Sequence, residues 1–214
     1  MRIIRDAMTV GKGLAACFAG VLFFSWAAPP LRAESPIALT VRVYNSVSLS
    51  PHEIAAVTAA AGPILRDTGA DVTFRICERH SDDPAVVVDL CDDTLKPHEV
   101  VVRVIDAPRY NLQLDPLAYG LTYVVPETNR GWLATVFADR ISATAIRVGG
   151  DHGTLIGLVL AHEVGHLLLG QNYHGDAGVM RGNWPDQLLT PNANVDWHFS
   201  TREVATIQQN IATR

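Results

Sequence analysis

Residues 161–180 read AHEVGHLLLGQNYHGDAGVM, and the rest of the chain is best understood outward from them. Within this stretch stands H-E-x-x-H, as His162, Glu163 and His166, set in an apolar, helix-compatible run. Residues four apart on a helix share a face one turn apart, so His162 and His166 can aim two imidazole nitrogens at one metal ion. Glu163 lies about 100° round the helix from His162, beside such an ion rather than pointing at it, which suits a base that takes a proton from water. Asp151 is the expected N-cap and Gly170 the expected C′ stop, which predicts a helix over about 152–169.

Two histidines do not complete a catalytic zinc site, which usually has three protein ligands and an open position. His174 follows four residues past the stop and is the expected third ligand. Asp176 is a rival through oxygen. Glu203 is another, although Ser200-Thr201-Arg202-Glu203 reads as a capping box, which would hold that carboxylate at a helix start. The bland alternative is a buried helix with two satisfied core histidines. Burying two histidines and a glutamate without a partner is costly, and a cation is the natural partner.

These residues resemble the zincin metallopeptidases, and within them the metzincins, whose longer motif is H-E-x-x-H-x-x-G-x-x-H followed by a Met-turn beneath the metal. The order of parts is the same here but the spacing is longer. Gly170 is one residue later than in that pattern, His174 is two later, and Asn172 stands where the family's third ligand falls. The resemblance implies Zn²⁺ held by His162, His166 and His174, Glu163 as general base, Met180 as the Met-turn residue, and an antiparallel edge strand bordering the cleft. The mature chain also looks like a group of secreted bacterial proteins that share a V-x-V-Y-N start (here 41–45), an amphipathic helix ending near a strand like TGADVTFRIC (68–77) and the ending HEVGHLLLG…H…GVMRGNW. That likeness implies a protease without giving a substrate.

The N-terminus has a different character. Arg2, Arg5 and Lys12 precede a nearly all-apolar run, 14–28, and Leu31-Arg32-Ala33 offers a small-residue cleavage site. This is the pattern of a secretory signal peptide over 1–33, leaving 34–214 as a single zinc-protease domain in the secreted or periplasmic space. The alternative is an uncleaved membrane anchor, for which the run is short. Leu14-Ala15-Ala16-Cys17 matches a lipoprotein box, but the apolar core follows Cys17 instead of preceding it, so Cys17 reads as part of the leader.

Without the leader two cysteines remain, Cys77 and Cys91. An even pair in an exported chain predicts a disulfide, with two free thiols as the alternative. Net charge is −5, and about −8 once the basic leader is removed. The chain has no basic patch interleaved with aromatics, which argues against a nucleic-acid partner and leaves a peptide or protein as the expected substrate.

The remaining periodicities predict an α+β fold. ALTVRVY (38–44) alternates as a strand, and Ser50-Pro51-His52-Glu53 opens a capped helix that runs to Gly69. ADVTFRIC (70–77) is a second strand, predicting a parallel βαβ unit, and VVVRVI (100–105) is a third, apolar enough to be central. YGLTYVV (119–125) and WLATVFA (132–138) follow, joined by a turn around PETNRG, and a last helix spans 201–212. The sum is a small mixed sheet with an early crossover helix and a late metal-bearing helix, as in the metzincin plan. Trp132, Trp184 and Trp197 are candidates for either core packing or the pocket wall, and His198 for an approach to the cleft. The readings that rival a peptidase are an exported zinc-binding module without turnover and a zinc hydrolase of a non-peptide amide.

Overall fold

Alternation along β1 (Ala38–Asn45) sets the layer structure. Leu39, Val41 and Val43 are fully buried on one face, whereas Arg42 lies on the other. The computed structural model describes residues 36–77, 91–108 and 115–214. The leader 1–33, with Cys17, lies outside the described residues.

α1 (Pro51–Arg66) carries the chain from β1 to β2 (Asp71–Cys77), and the two strands pair in parallel from Ala38↔Asp71 to Tyr44↔Cys77. The helix begins as its sequence dictates, with Ser50 and Glu53 exchanging both capping-box hydrogen bonds and Pro51 at the first turn. β3 (Glu99–Ile105) pairs in parallel with β1, and β5 (Leu133–Phe137) in parallel with β3. β4 (Gly120–Thr122) closes the sheet as an antiparallel edge on β5, giving the order β2-β1-β3-β5-β4. The third strand is central, as its apolar run requires.

The inner face of β1, β3 and β5 shares one core with α1 and α3 (His152–Leu169). α3 is apolar on every side and long enough to cross a membrane, but 89% of it is buried inside the protein. A helix without a polar face needs cover all round, and here α1, α2, α5 and the sheet provide it. On the outer face, Arg42 is buried beneath the segment after Cys91. Its guanidinium donates to the carbonyls of Cys91 (3.1 Å) and Asp93 (2.8 Å) and pairs closely with the Glu99 carboxylate.

Two elements differ from the sequence reading. α2 (Ala138–Val148) stands between β5 and α3, where no helix is expected. It leaves the strand directly at Phe137 with no side-chain cap, so its start carries no capping signal. The segment 119–125 forms only three residues of strand. Beyond Thr122 the chain turns away, and the loop closes through a bridge between Val125 and Arg130. The short α4 (Asp186–Leu189) is likewise unforeseen, and α5 (Thr201–Ala212) matches the helix expected at 201–212.

Candidate metal centre and its cleft

α3 is built to hold two histidines rigidly. Asp151 accepts from the Thr154 backbone N–H at 2.7 Å, and Gly170 ends the helix at φ 68° while its N–H returns to the His166 carbonyl at 2.9 Å. Gly170 is required twice over, because a Cβ there would also lie 2.1 Å from the Asn129 carbonyl oxygen. His162, Glu163 and His166 are 9%, 6% and 5% exposed, so their rotamers are fixed by packing.

The connection after Gly170 brings His174, and not Asn172, to this pair. The His162 and His166 Nε2 atoms are 3.1 Å apart, and those of His162 and His174 are 3.3 Å apart. These three residues form a group able to hold a metal ion, with all ligand atoms within 4.8 Å of one another. The donor chemistry fits a cation. His162 Nδ1 lies 2.7 Å from the Val179 carbonyl oxygen and His166 Nδ1 lies 3.0 Å from that of Gln171. A carbonyl only accepts, so both Nδ1 atoms carry hydrogen, and each neutral ring presents an Nε2 lone pair to the other. Two lone pairs at that distance repel unless a positive charge lies between them. The spacing is also close to the edge of a tetrahedron with ~2.0–2.1 Å zinc–nitrogen bonds, about 3.3 Å.

Electrostatics point the same way. Burial, with help from the neighbouring His166, pushes the His162 imidazolium down to about 3, and burial pushes that of His166 down to about 4. Both rings are therefore neutral at pH 7, as ligation requires. Burial pushes the Glu163 carboxyl up to about 7, against a hydrogen bond from Thr122 that favours the anion.

Met180 is fully buried beneath α3, where a Cβ on Gly165 would come within 2.5 Å of its Sδ. The preceding residue supplies the carbonyl that receives the His162 N–H. The triad and Glu163 open onto a cleft of about 430 Å³, walled by Tyr119–Thr122 and by Arg181–Trp184. Trp184 meets the His162 ring edge-on at 5.5 Å and packs on Trp197 at 4.8 Å, so one tryptophan lines the cleft and the other backs it. Trp132 is 42% exposed and does not line the cleft.

The rival ligands are elsewhere. The Glu203 carboxylate accepts from the Ser200 N–H at 2.7 Å and completes a capping box at the start of α5. Asp176 is exposed outside the histidine cluster. His198 pairs with Asp67 and Asp196 and does not reach the cleft. Cys77 and Cys91 are joined by a disulfide, with Cα atoms 5.8 Å apart.

Sequence reasoning missed three contributors, namely Gly120 and Thr122 on β4 and the Val179 carbonyl. Thr122 reaches Glu163 across 41 residues of sequence, and no spacing rule connects them. The alternation around 119–125 marks a strand but not its neighbour.

No protein-family model matches the sequence, and no curated protein is similar to it in sequence. Solved structures are similar in shape. Archaemetzincin from Methanopyrus kandleri superposes with a TM-score of 0.55 at 15% identity, over 85% of this chain and 99% of that one. Metalloproteinase-II from Bacteroides fragilis gives a TM-score of 0.46 at 16% identity, over 85% of this chain and 55% of that one. The first of these likenesses shows that the chain shares its fold with archaemetzincin, and in this chain that fold carries a three-histidine group that can hold a metal ion.

Proposed function

We propose that the protein is an exported zinc-dependent endopeptidase. The observation that carries this reading is the meeting of three Nε2 atoms beside a buried carboxyl group, at the wall of an open cleft. An all-imidazole donor set, with His162 Nε2 at tetrahedral-edge spacing from both His166 and His174, favours zinc. Zinc bound by His162, His166 and His174 would supply Lewis acidity to a water and to a substrate carbonyl.

The protein's own groups account for the rest. Glu163 takes a proton from the attacking water and later hands it to the departing amine, a double duty suited to a carboxyl held at the wall of the cleft beside the three histidines. Burial of His162 and His166 keeps both rings neutral, and the Val179 and Gln171 carbonyls hold them in the tautomer that offers Nε2. β4 is an edge strand, so its outer main-chain groups can pair with an extended peptide laid along the cleft. The Cys77–Cys91 disulfide and the leader-like segment 1–33 support an oxidising, extracytoplasmic setting, with a peptide or protein as partner.

The test is metal analysis of the purified protein together with cleavage of a peptide library. About one zinc per chain is expected, with cleavage abolished by a chelator and restored by zinc. The Glu163→Gln protein should keep its zinc and lose at least about 10²-fold in rate. Full activity in that variant would overturn the reading, and zinc without any cleavage would favour a binding module.

A further inference from the structure

β4 presents two residues to a single carboxyl group. Thr122 is 8% exposed, and its hydroxyl lies 2.6 Å from Glu163 Oε2 and 3.1 Å from the Glu163 backbone carbonyl. A hydroxyl has one proton to give, and the shorter contact falls in the ~2.5–2.7 Å range of a charge-assisted O–H···O⁻ bond. Glu163 Oε1 has no hydrogen-bond partner among the described residues. The two oxygens are thus unlike: one is held by the protein and the other is free.

Gly120 makes room for that arrangement. A Cβ at position 120 would lie 2.5 Å from Oε1 and 2.7 Å from both Cδ and Cγ of Glu163. No backbone atom stands among these neighbours, so the group that must yield to any larger residue is the carboxyl side chain itself. Thr122 and Gly120 are two apart on one strand and so face the same side of the sheet. Their partners across the ladder, Ala134 and Val136, are core residues.

We propose that Gly120 and Thr122 form a clamp that fixes the orientation of Glu163, holding Oε2 and leaving Oε1 to take the proton from the attacking water and pass it to the departing amine. This rests on Glu163 being the general base, and it makes Thr122 a positioning residue. It also gives β4 a second role, since the strand that walls the cleft sets the angle of the base.

The experiment compares Thr122→Val, Thr122→Ser and Gly120→Ala in the wild-type and Glu163→Gln backgrounds. Thr122→Val keeps the shape and removes the donor. It should lower kcat by about 10–100-fold with KM within about twofold of wild type and zinc content unchanged. Thr122→Ser should recover kcat to within about threefold of wild type, and Thr122→Val should cost nothing further in Glu163→Gln. Gly120→Ala should lower kcat at least as much as Thr122→Val.

A second readout needs no turnover. In the metal-free protein at a pH where Glu163 is protonated, its carboxyl stretch, identified by infrared difference against Glu163→Gln, should shift in Thr122→Val and not in Thr122→Ser. Wild-type kcat and an unshifted band in Thr122→Val, beside an inactive Glu163→Gln, would overturn the clamp and leave the base assignment standing. A further loss from Thr122→Val within Glu163→Gln would make the hydroxyl merely structural and would also overturn it. A fully active Glu163→Gln would remove the base assignment and the clamp together.

Discussion

His162 donates from Nδ1 to the carbonyl of Val179 at 2.7 Å, which ties the middle of α3 to the turn that carries Met180. The bond decides which ring nitrogen carries hydrogen, and the turn can keep its carbonyl in place only if the residue behind it is well packed. Met180 is that residue, fully buried against Gly165 and close to Phe199.

Substitutions at Met180 should therefore separate by volume. Met180→Leu nearly conserves volume and should cost less than about 1.5 kcal/mol, whereas Met180→Ala opens a cavity and should cost about 2–5 kcal/mol. The alanine variant should also bind zinc about 10–100-fold more weakly, because the Val179 carbonyl loses its support. Urea unfolding and chelator competition measure the two effects, and equal zinc affinity in both variants would disconnect the turn from the metal centre.

His174 differs from its two partners in being exposed and carried on a loop. Its removal should leave the fold intact while reducing zinc affinity by more than the ~10–100-fold typical of outer-shell changes. His174→Ala is thus expected to show a wild-type circular dichroism spectrum and to lose its zinc on dialysis. Retention of stoichiometric zinc would mean that another donor completes the site.

The position of α3 depends on its contact with α1. A Cβ on Gly157 would lie 2.5 Å from the Val57 carbonyl oxygen and 2.8 Å from the Ala60 Cβ, and a helix backbone cannot give way locally. Gly157→Val should force the helices apart, at a cost of about 1–3 kcal/mol, and lower Tm by about 3–10 °C. An unchanged Tm would mean that the two helices are free to slide.

Much of this arrangement is legible in the sequence because local chemistry dictates it. Ser50 and Ser200 start helices with capping boxes that form as written, Asp151 and Gly170 bound α3, and β-branched alternation marks β1 and β3. What the sequence leaves hidden has no local signal. α2 begins without a cap, and only its apolar face and the left-handed Gly149 behind it betray it. The meeting of Thr122 with Glu163 depends on which strand forms the edge of the sheet, a fact of topology. The path from Gly170 to His174 is longer than the metzincin spacing and shows its end point only in three dimensions.

The disulfide should contribute through the unfolded chain. Cys77 and Cys91 close a loop with a sequence separation of 14, for which chain entropy predicts about 3 kcal/mol. Cys91 also supplies a carbonyl to buried Arg42, so loosening this loop should disturb the outer face of the sheet before it reaches the histidines. The Cys77→Ser/Cys91→Ser protein is expected to unfold at lower urea while keeping its zinc stoichiometry in native buffer. Loss of zinc in parallel with stability would mean that the two faces unfold as one.

Acid should expose a separate link between α1 and α3. The Glu53 carboxylate accepts from His152 Nδ1 at 2.8 Å and from the N–H and hydroxyl of Ser50, both at 2.8 Å. The contact with His152, followed by those with Ser50, lowers its pKa from 4.5 to about 2. Between these values the unfolded chain binds a proton that the folded protein does not, so the stabilisation is complete above about pH 5 and is lost as pH falls toward 2. The side chain is 29% exposed, and allowing for solvent screening the contribution is about 1–2 kcal/mol. Glu53→Gln should therefore be less stable than wild type by that amount at pH 6 and nearly equal to it at pH 2. A gap that stays constant across that range would assign the effect of Glu53 to packing instead of charge.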